Sequence, residues 1–211
     1  MSVALDQGIL KCISTDTIRA VMRSFVNEDV SPALHRSSYA AAFEGDDPVR
    51  SWMETCVCLS KSVDNIVQDA IDRQVSLVVE GVHIIPSDEL IKKWKEHGGV
   101  ATGVLLQIEK EDKHKAQLQR RGLITGNMKN EDRKIKSYER IRAIQKEMIR
   151  LAKENNWIQI EQRTELDPLD IIANSLNGVD EHSLNGDHVD ICTGINNNFV
   201  DSILEQNKQH E

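Results

Sequence analysis

The sequence predicts an α/β protein built on a parallel sheet with helices on both faces. Two observations carry that expectation. Short apolar runs of strand length, over residues 9–14, 77–79, 104–108 and 157–160, alternate with stretches whose apolar residues recur at helical spacing. Strands alternating with helices are the signature of parallel sheets with helical crossovers. The length of 211 residues suits one such domain plus an appendage.

Taken in order, residues 9–14 read as a strand that passes directly into a helix starting at Thr15 or Asp16, with Ile18, Val21, Met22 and Phe25 on one side. A loop containing Pro32 and Pro48 follows, and residues 52–73 read as one long helix. The run Leu77-Val78-Val79 is continuous rather than alternating, as a buried parallel strand requires. Residues 89–97 form a short helix stopped by Gly98-Gly99. After the strand at 104–108 come helices over 111–121 and 131–155, the second with Ile141, Ile144, Met148 and Leu151 on one face. The strand at 157–160 and a helix over 168–176 close the domain, giving a first unit of residues 1–177. Residues 178–211 are rich in Gly, Asn, Asp and His, carry seven acidic side chains against Lys208, and read as an acidic disordered tail.

Composition narrows the function classes. No apolar stretch approaches the roughly 18 residues of a membrane span, and no charged region followed by an apolar run opens the chain, so a cytoplasmic protein without membrane contact is expected. Cys56 and Cys58 are too close for a ready bridge, and Cys12 and Cys192 stand alone, which suits reduced structural thiols. The net charge of −8 hides a basic segment, residues 110–153, with fourteen Lys/Arg against six Asp/Glu. A local basic stretch in an acidic protein points to a small anion site rather than to nucleic acid.

Three constellations could carry chemistry. In the first, Asp16 stands at a helix entrance with Arg19 and Arg23 at i and i+4 on one face. At the C-terminal end of a parallel strand, a carboxylate and two guanidiniums could position a hydroxyl and hold an anionic substrate. Alternatively, Asp16 is a helix cap and the arginines are solvated. In the second, Glu80 ends a buried strand ahead of Gly81, either as a Mg²⁺-organising acid or as a plain strand end that turns at glycine. His83 reads as a hydrogen-bonding structural histidine, since no other ligand type lies at metal-binding spacing. In the third, Arg120, Arg121, Lys129, Arg133, Lys134, Lys136, Arg140 and Arg142 form a basic segment with Gly122 and Gly126 between its helices. It is either a lid that brings arginines over phosphates or a solvated face.

These residues carry a resemblance. The stretch Ser14-Thr15-Asp16-Thr17-Ile18-Arg19-Ala20-Val21-Met22-Arg23 resembles the segment after the P-loop in 2-phosphoglycerate kinases and in the related plant low-phytic-acid P-loop proteins. Pro32, Leu34, Ser37 and Tyr39, then Val78 through His83, then Ile141-Arg142-Ala143-Ile144-Gln145, resemble further family blocks in the same order. The resemblance implies a P-loop kinase-like fold and ATP with Mg²⁺ as cofactors. It also implies transfer of the γ-phosphoryl group to 2-phosphoglycerate, a small phosphorylated substrate, giving 2,3-bisphosphoglycerate. It implies that Asp16 orients or deprotonates the acceptor hydroxyl, Arg19 and Arg23 bind substrate, and Glu80 organises Mg²⁺. Arg121 and Arg142 would neutralise the transferring group, with Lys136 a further candidate at the cofactor.

The sequence departs from that family in one respect. No Gly-x-x-x-x-Gly-Lys-[Ser/Thr] motif occurs in it, so the backbone cradle for the phosphates and its lysine are missing together. The resemblance therefore implies an N-terminally truncated, inactive form whose sheet lacks its first and central strand, at a cost of about 10 kcal/mol. Two other functions fit the same residues: a kinase of another small-molecule alcohol, and a non-catalytic module that binds a polyanion or a partner.

Overall fold

Each element begins where the local chemistry allows it. A computed structural model of the chain describes residues 8–125, 137–161 and 168–177. Strand β1 (Lys11–Ser14) runs straight into helix α1 (Thr15–Arg23), because the Ser14 side chain accepts the Asp16 amide at 3.2 Å and caps the helix. A four-residue helix α2 (Pro32–His35) precedes α3 (Pro48–Asp72). The long helix starts four residues before the expected Trp52, since Asp47 accepts the Val49 amide at 2.9 Å and Pro48 occupies the first turn. There follow β2 (Leu77–Glu80), α4 (Glu89–Glu96), β3 (Val104–Gln107) and α5 (Glu111–Thr125). Helix α6 (Tyr138–Glu154), β4 (Ile158–Glu161) and α7 (Pro168–Leu176) complete the order. The expected acidic tail at 178–211 lies outside the described residues.

The strands pair in parallel, as the alternation predicts, but among the described residues they form two sheets instead of one. β1 pairs with β2 in the register Lys11↔Leu77 to Ser14↔Glu80, and β3 pairs with β4 from Val104↔Ile158 to Gln107↔Glu161. No ladder joins β2 to β3. Parallel strands are ordinarily covered on both faces, yet of these strands only Leu105 and Ile160 supply buried residues, and Leu106 is 70% exposed.

Helices supply the core instead. Ile18 of α1, Leu34 of α2, and Leu59 and Val63 of α3 form one buried cluster, against which Ile13 and Val79 of the first sheet pack. Trp52 and Cys56 of α3 meet Ile144 of α6 in a second cluster. Because α6 also lies on β3 and β4, the α3–α6 contact connects the two halves, together with Asn155 and Trp157, which donate to the Pro86 and Ser87 carbonyls at 3.2 and 2.9 Å. The contact is reinforced by Arg140 of α6, which grips the Asp46 carboxylate through both terminal nitrogens, at 2.5 and 3.0 Å. The Arg140 and Ser51 hydrogen bonds hold Asp46 well below the usual carboxylate range. No described helix is long and apolar enough to cross a membrane. The described cysteines Cys12, Cys56 and Cys58 are free, and burial pushes the Cys56 thiol up to about 12, in keeping with an inert core residue.

Candidate functional site

The register of β1 and β2 sets Ser14 opposite Glu80, so the chain segments leaving both strands emerge side by side at their C-terminal ends. In α/β proteins this is the edge at which ligands bind. From β1 the chain enters α1 with Thr15 fully buried and the Asp16 side chain 75% exposed. Ser14 performs the capping, so Asp16 occupies the first helical turn with its carboxylate turned outward. The capping alternative for Asp16 is thereby removed.

From β2 the chain turns at Gly81, whose φ of +131° is a conformation that side chains disfavour. A Cβ at this position would stand 2.0 Å from Thr15 Oγ1, so only glycine lets the two segments touch. Two residues on, the buried His83 imidazole meets Thr15 Oγ1 at 3.1 Å through Nδ1 and Ser38 Oγ at 2.7 Å through Nε2. Asp16 Oδ1 lies 3.7 Å from the same Nδ1. The sequence expectation of a hydrogen-bonding histidine agrees with these contacts.

Arg19 and Arg23 do share one face of α1, and that face holds α2. Arg19 is buried; its Nε donates to the Leu34 carbonyl at 2.8 Å, another nitrogen donates to the Arg36 carbonyl, and Nη1 stands 3.4 Å from His83 Nε2. Arg23 donates to the carbonyls of Leu34 and His35, both at 2.9 Å. Two guanidinium forks thus close the C-terminal end of a four-residue helix, where the last carbonyls are left without intrahelical partners. Burial, and then the neighbouring Arg23, lower Arg19 to about 10, which leaves it charged at neutral pH.

The basic residues divide differently. Arg142 stands at the end of β3, in the other sheet, donating to the carbonyls of Ile108 at 2.7 Å and Glu109 at 2.9 Å. Gln145 donates to the same Ile108 carbonyl at 2.9 Å. Arg121 falls within the span of α5, but its side chain lies outside the described residues, as does Lys136. Glu80 is exposed at the end of β2. The structure therefore brings Asp16, Arg19, Arg23 and Glu80 to one sheet end. It adds Thr15 and Ser38 as the partners of His83, which sequence spacing did not reveal.

The electrostatics of this cluster give a pH prediction. Burial first, and then Arg19, lower the His83 imidazole to about 4 from an ordinary 6.5, so the folded protein holds it neutral where an unfolded chain would protonate it. Stability due to this group should be complete above pH 6.5 and fall as the pH drops from 6.5 towards 4. Urea midpoints measured across that window should decline with a slope corresponding to one proton taken up on unfolding. In His83→Asn that component should be absent.

Comparison with known proteins supports the sequence resemblance. Proteins named 2-phosphoglycerate kinase from Methanopyrus kandleri and Methanocaldococcus jannaschii are 32% and 29% identical over 155 and 157 residues. These stretches cover 71% and 72% of this chain and 47% and 49% of the relatives. One from Methanothermobacter thermautotrophicus is 33% identical over 102 residues, 43% of this chain and 33% of the relative. The chain spans about half the length of the first two. No family model matches the chain. No solved structure matches it. The motifs around Asp16, Glu80 and Arg142 and the repeated similarity to proteins of one name lead to a single assignment: over this shared region, the chain belongs to the 2-phosphoglycerate kinase family.

Proposed function

We propose that residues 1–177 form the acceptor-binding part of an ATP-dependent kinase for a small phosphorylated hydroxy acid, 2-phosphoglycerate, with residues 178–211 as an acidic tail. The observation that carries this is the outward-facing, non-capping Asp16 at the sheet end where Glu80 also emerges. In this reading Asp16 takes the proton of the acceptor hydroxyl as its oxygen attacks the γ-phosphorus and ADP leaves. Arg19 and Arg23 supply positive charge beside it; direct contact with the acceptor's carboxylate or phosphate requires the α2 carbonyls to yield. Arg142, Arg121 and Lys136 would meet the charge on the transferring group and the ATP phosphates from the β3 side.

The split sheet supports the idea that the kinase core needs a further strand. The edges of β2 and β3 are unpaired with each other, their faces are only half covered, and the sequence holds no P-loop motif. A parallel strand ending in a P-loop, placed between β2 and β3, would join the two sheets and deliver the phosphate cradle. Without it, this chain should not bind MgATP with ordinary kinase affinity or turn over 2-phosphoglycerate. Among the described residues no group of three or more His, Cys, Asp or Glu could cage a metal. Mg²⁺ is commonly held by one or two carboxylates plus substrate phosphates, and Glu80, an exposed carboxylate at the end of β2, is the residue that would hold it. When bound, Mg²⁺ neutralises phosphate charge.

The test uses a form joined to the P-loop unit of a relative. There, Asp16→Asn should lower kcat about 100-fold and leave the urea midpoint unchanged, because Ser14 caps α1. Turnover near the wild-type value would remove Asp16 from the chemistry. Calorimetry of the chain as it stands separates the competing function: tight inositol hexakisphosphate binding with no response to 2-phosphoglycerate would favour a polyanion-binding module.

A further inference from the structure

His83 is a buried histidine at the sheet end that carries Asp16, and its contacts fix its chemistry. Its side chain is fully buried three residues beyond the end of β2. Two groups face Nε2: the Ser38 hydroxyl at 2.7 Å and Arg19 Nη1 at 3.4 Å. A guanidinium has donors and no acceptor, so Nε2 must present its lone pair, and the Ser38 O–H donates to it. The ring proton then sits on Nδ1, where it meets Thr15 Oγ1 at 3.1 Å with Asp16 Oδ1 at 3.7 Å. Both Nδ1 neighbours can accept. A second ring proton on Nε2 would face the Arg19 guanidinium, with Arg23 adding to the positive surroundings and Asp16 opposing it. The imidazole is therefore a one-way relay, taking a hydrogen bond from the 38 segment and giving one to the entrance of α1.

We propose that His83 is a positioning residue for Asp16: as the Nδ1–H tautomer, fixed by Ser38 and Arg19, it anchors Thr15 and thereby holds the first turn of α1 and its carboxylate at the end of β2. The proposal rests on the reading above only for what Asp16 does there. Thr15 is the pivot, with Gly81 against one side of its hydroxyl and Nδ1 against another. Its neighbour Asp16 carries the amide bound by Ser14. Loss of the Nδ1 donor frees Thr15 and should loosen that amide.

Imidazole ¹⁵N NMR of the full chain tests the tautomer directly. His83 should give a protonated Nδ1 and an acceptor Nε2, and this pattern should persist below the ordinary histidine range, towards pH 4. An Nε2–H tautomer, or ordinary titration near 6.5, would overturn the proposal. Two variants supply the second arm. His83→Asn keeps a donor near Nδ1, and His83→Gln moves the amide towards Nε2. Hydrogen exchange at the Asp16 amide should stay within about threefold of wild type in the first and quicken about tenfold in the second. Equal exchange in the two variants would count against a positioning role. Titration with 2-phosphoglycerate separates this inference from the kinase reading. If the tautomer and exchange results hold and no 2-phosphoglycerate binds even in the P-loop-joined form, the positioning role stands and the substrate assignment fails.

Discussion

Trp52→Ala should remove about 3–5 kcal/mol of unfolding free energy, the usual cost of emptying an aromatic site in a core. That corresponds to a Tm lower by roughly 10 °C for a chain of this size. Trp52 is fully buried, packs with Cys56 and Ile144, and donates its indole N–H to the Val82 carbonyl at 2.8 Å. It belongs both to the contact that connects the two halves of the fold and to the strap that carries His83. Urea unfolding should show a lower midpoint for Trp52→Ala. Trp52→Phe, which keeps most of the volume but leaves the Val82 carbonyl only the long Cys56 S–H contact at 3.9 Å, should fall between. A loss below about 1 kcal/mol for the alanine variant would mean that the cavity collapses and that α3 and α6 are joined by other contacts.

The second large effect is expected at Gly81, where the Cβ of an alanine would meet Thr15 Oγ1 at 2.0 Å on a backbone held at φ +131°. Strained backbone and overpacking each cost on the order of 1–3 kcal/mol, so Gly81→Ala should lose about 3 kcal/mol or more. Thr15 is fully buried and cannot swing away into solvent. The two contributions separate in a double-mutant cycle with Thr15→Ala, which removes the hydroxyl but leaves the backbone angle. A coupling above about 1 kcal/mol assigns the loss to the contact. Zero coupling would place all of it in the backbone and would remove the claim that the two strand exits need to touch.

The strands were legible in the sequence because four short aliphatic runs left little choice, and each lies within about two residues of its expected place. The start of α3 was legible too, in Asp47-Pro48, a cap followed by a first-turn proline; apolar periodicity alone set it too late at Trp52. The division into two sheets was not legible as such, since pairing between distant strands leaves no local pattern. The same distinction runs through the site. Spacing put Asp16, Arg19 and Arg23 at one helix entrance, but it could not show that the guanidiniums engage carbonyls of residues 34–36. Nor could it bring Ser38 to His83 across 45 residues, or Arg140 to Asp46 across 94. Those contacts are products of tertiary packing, and only residue type, not partner, is written locally.

The parallel pairing of the strands also constrains the order in which the chain can fold during synthesis. Lys11 pairs with Leu77 and Val104 with Ile158, separations of 66 and 54 residues. At translation rates of about 5–20 residues per second, β1 waits roughly 3–13 s outside the ribosome before its partner exists, far longer than the microseconds a helix needs. Helices α1 and α3 therefore have time to dock on each other first, and the Ile18–Leu59–Val63 cluster becomes the surface on which β1 is held until β2 arrives. Vectorial synthesis thus favours a helical folding nucleus, with both sheets completed late.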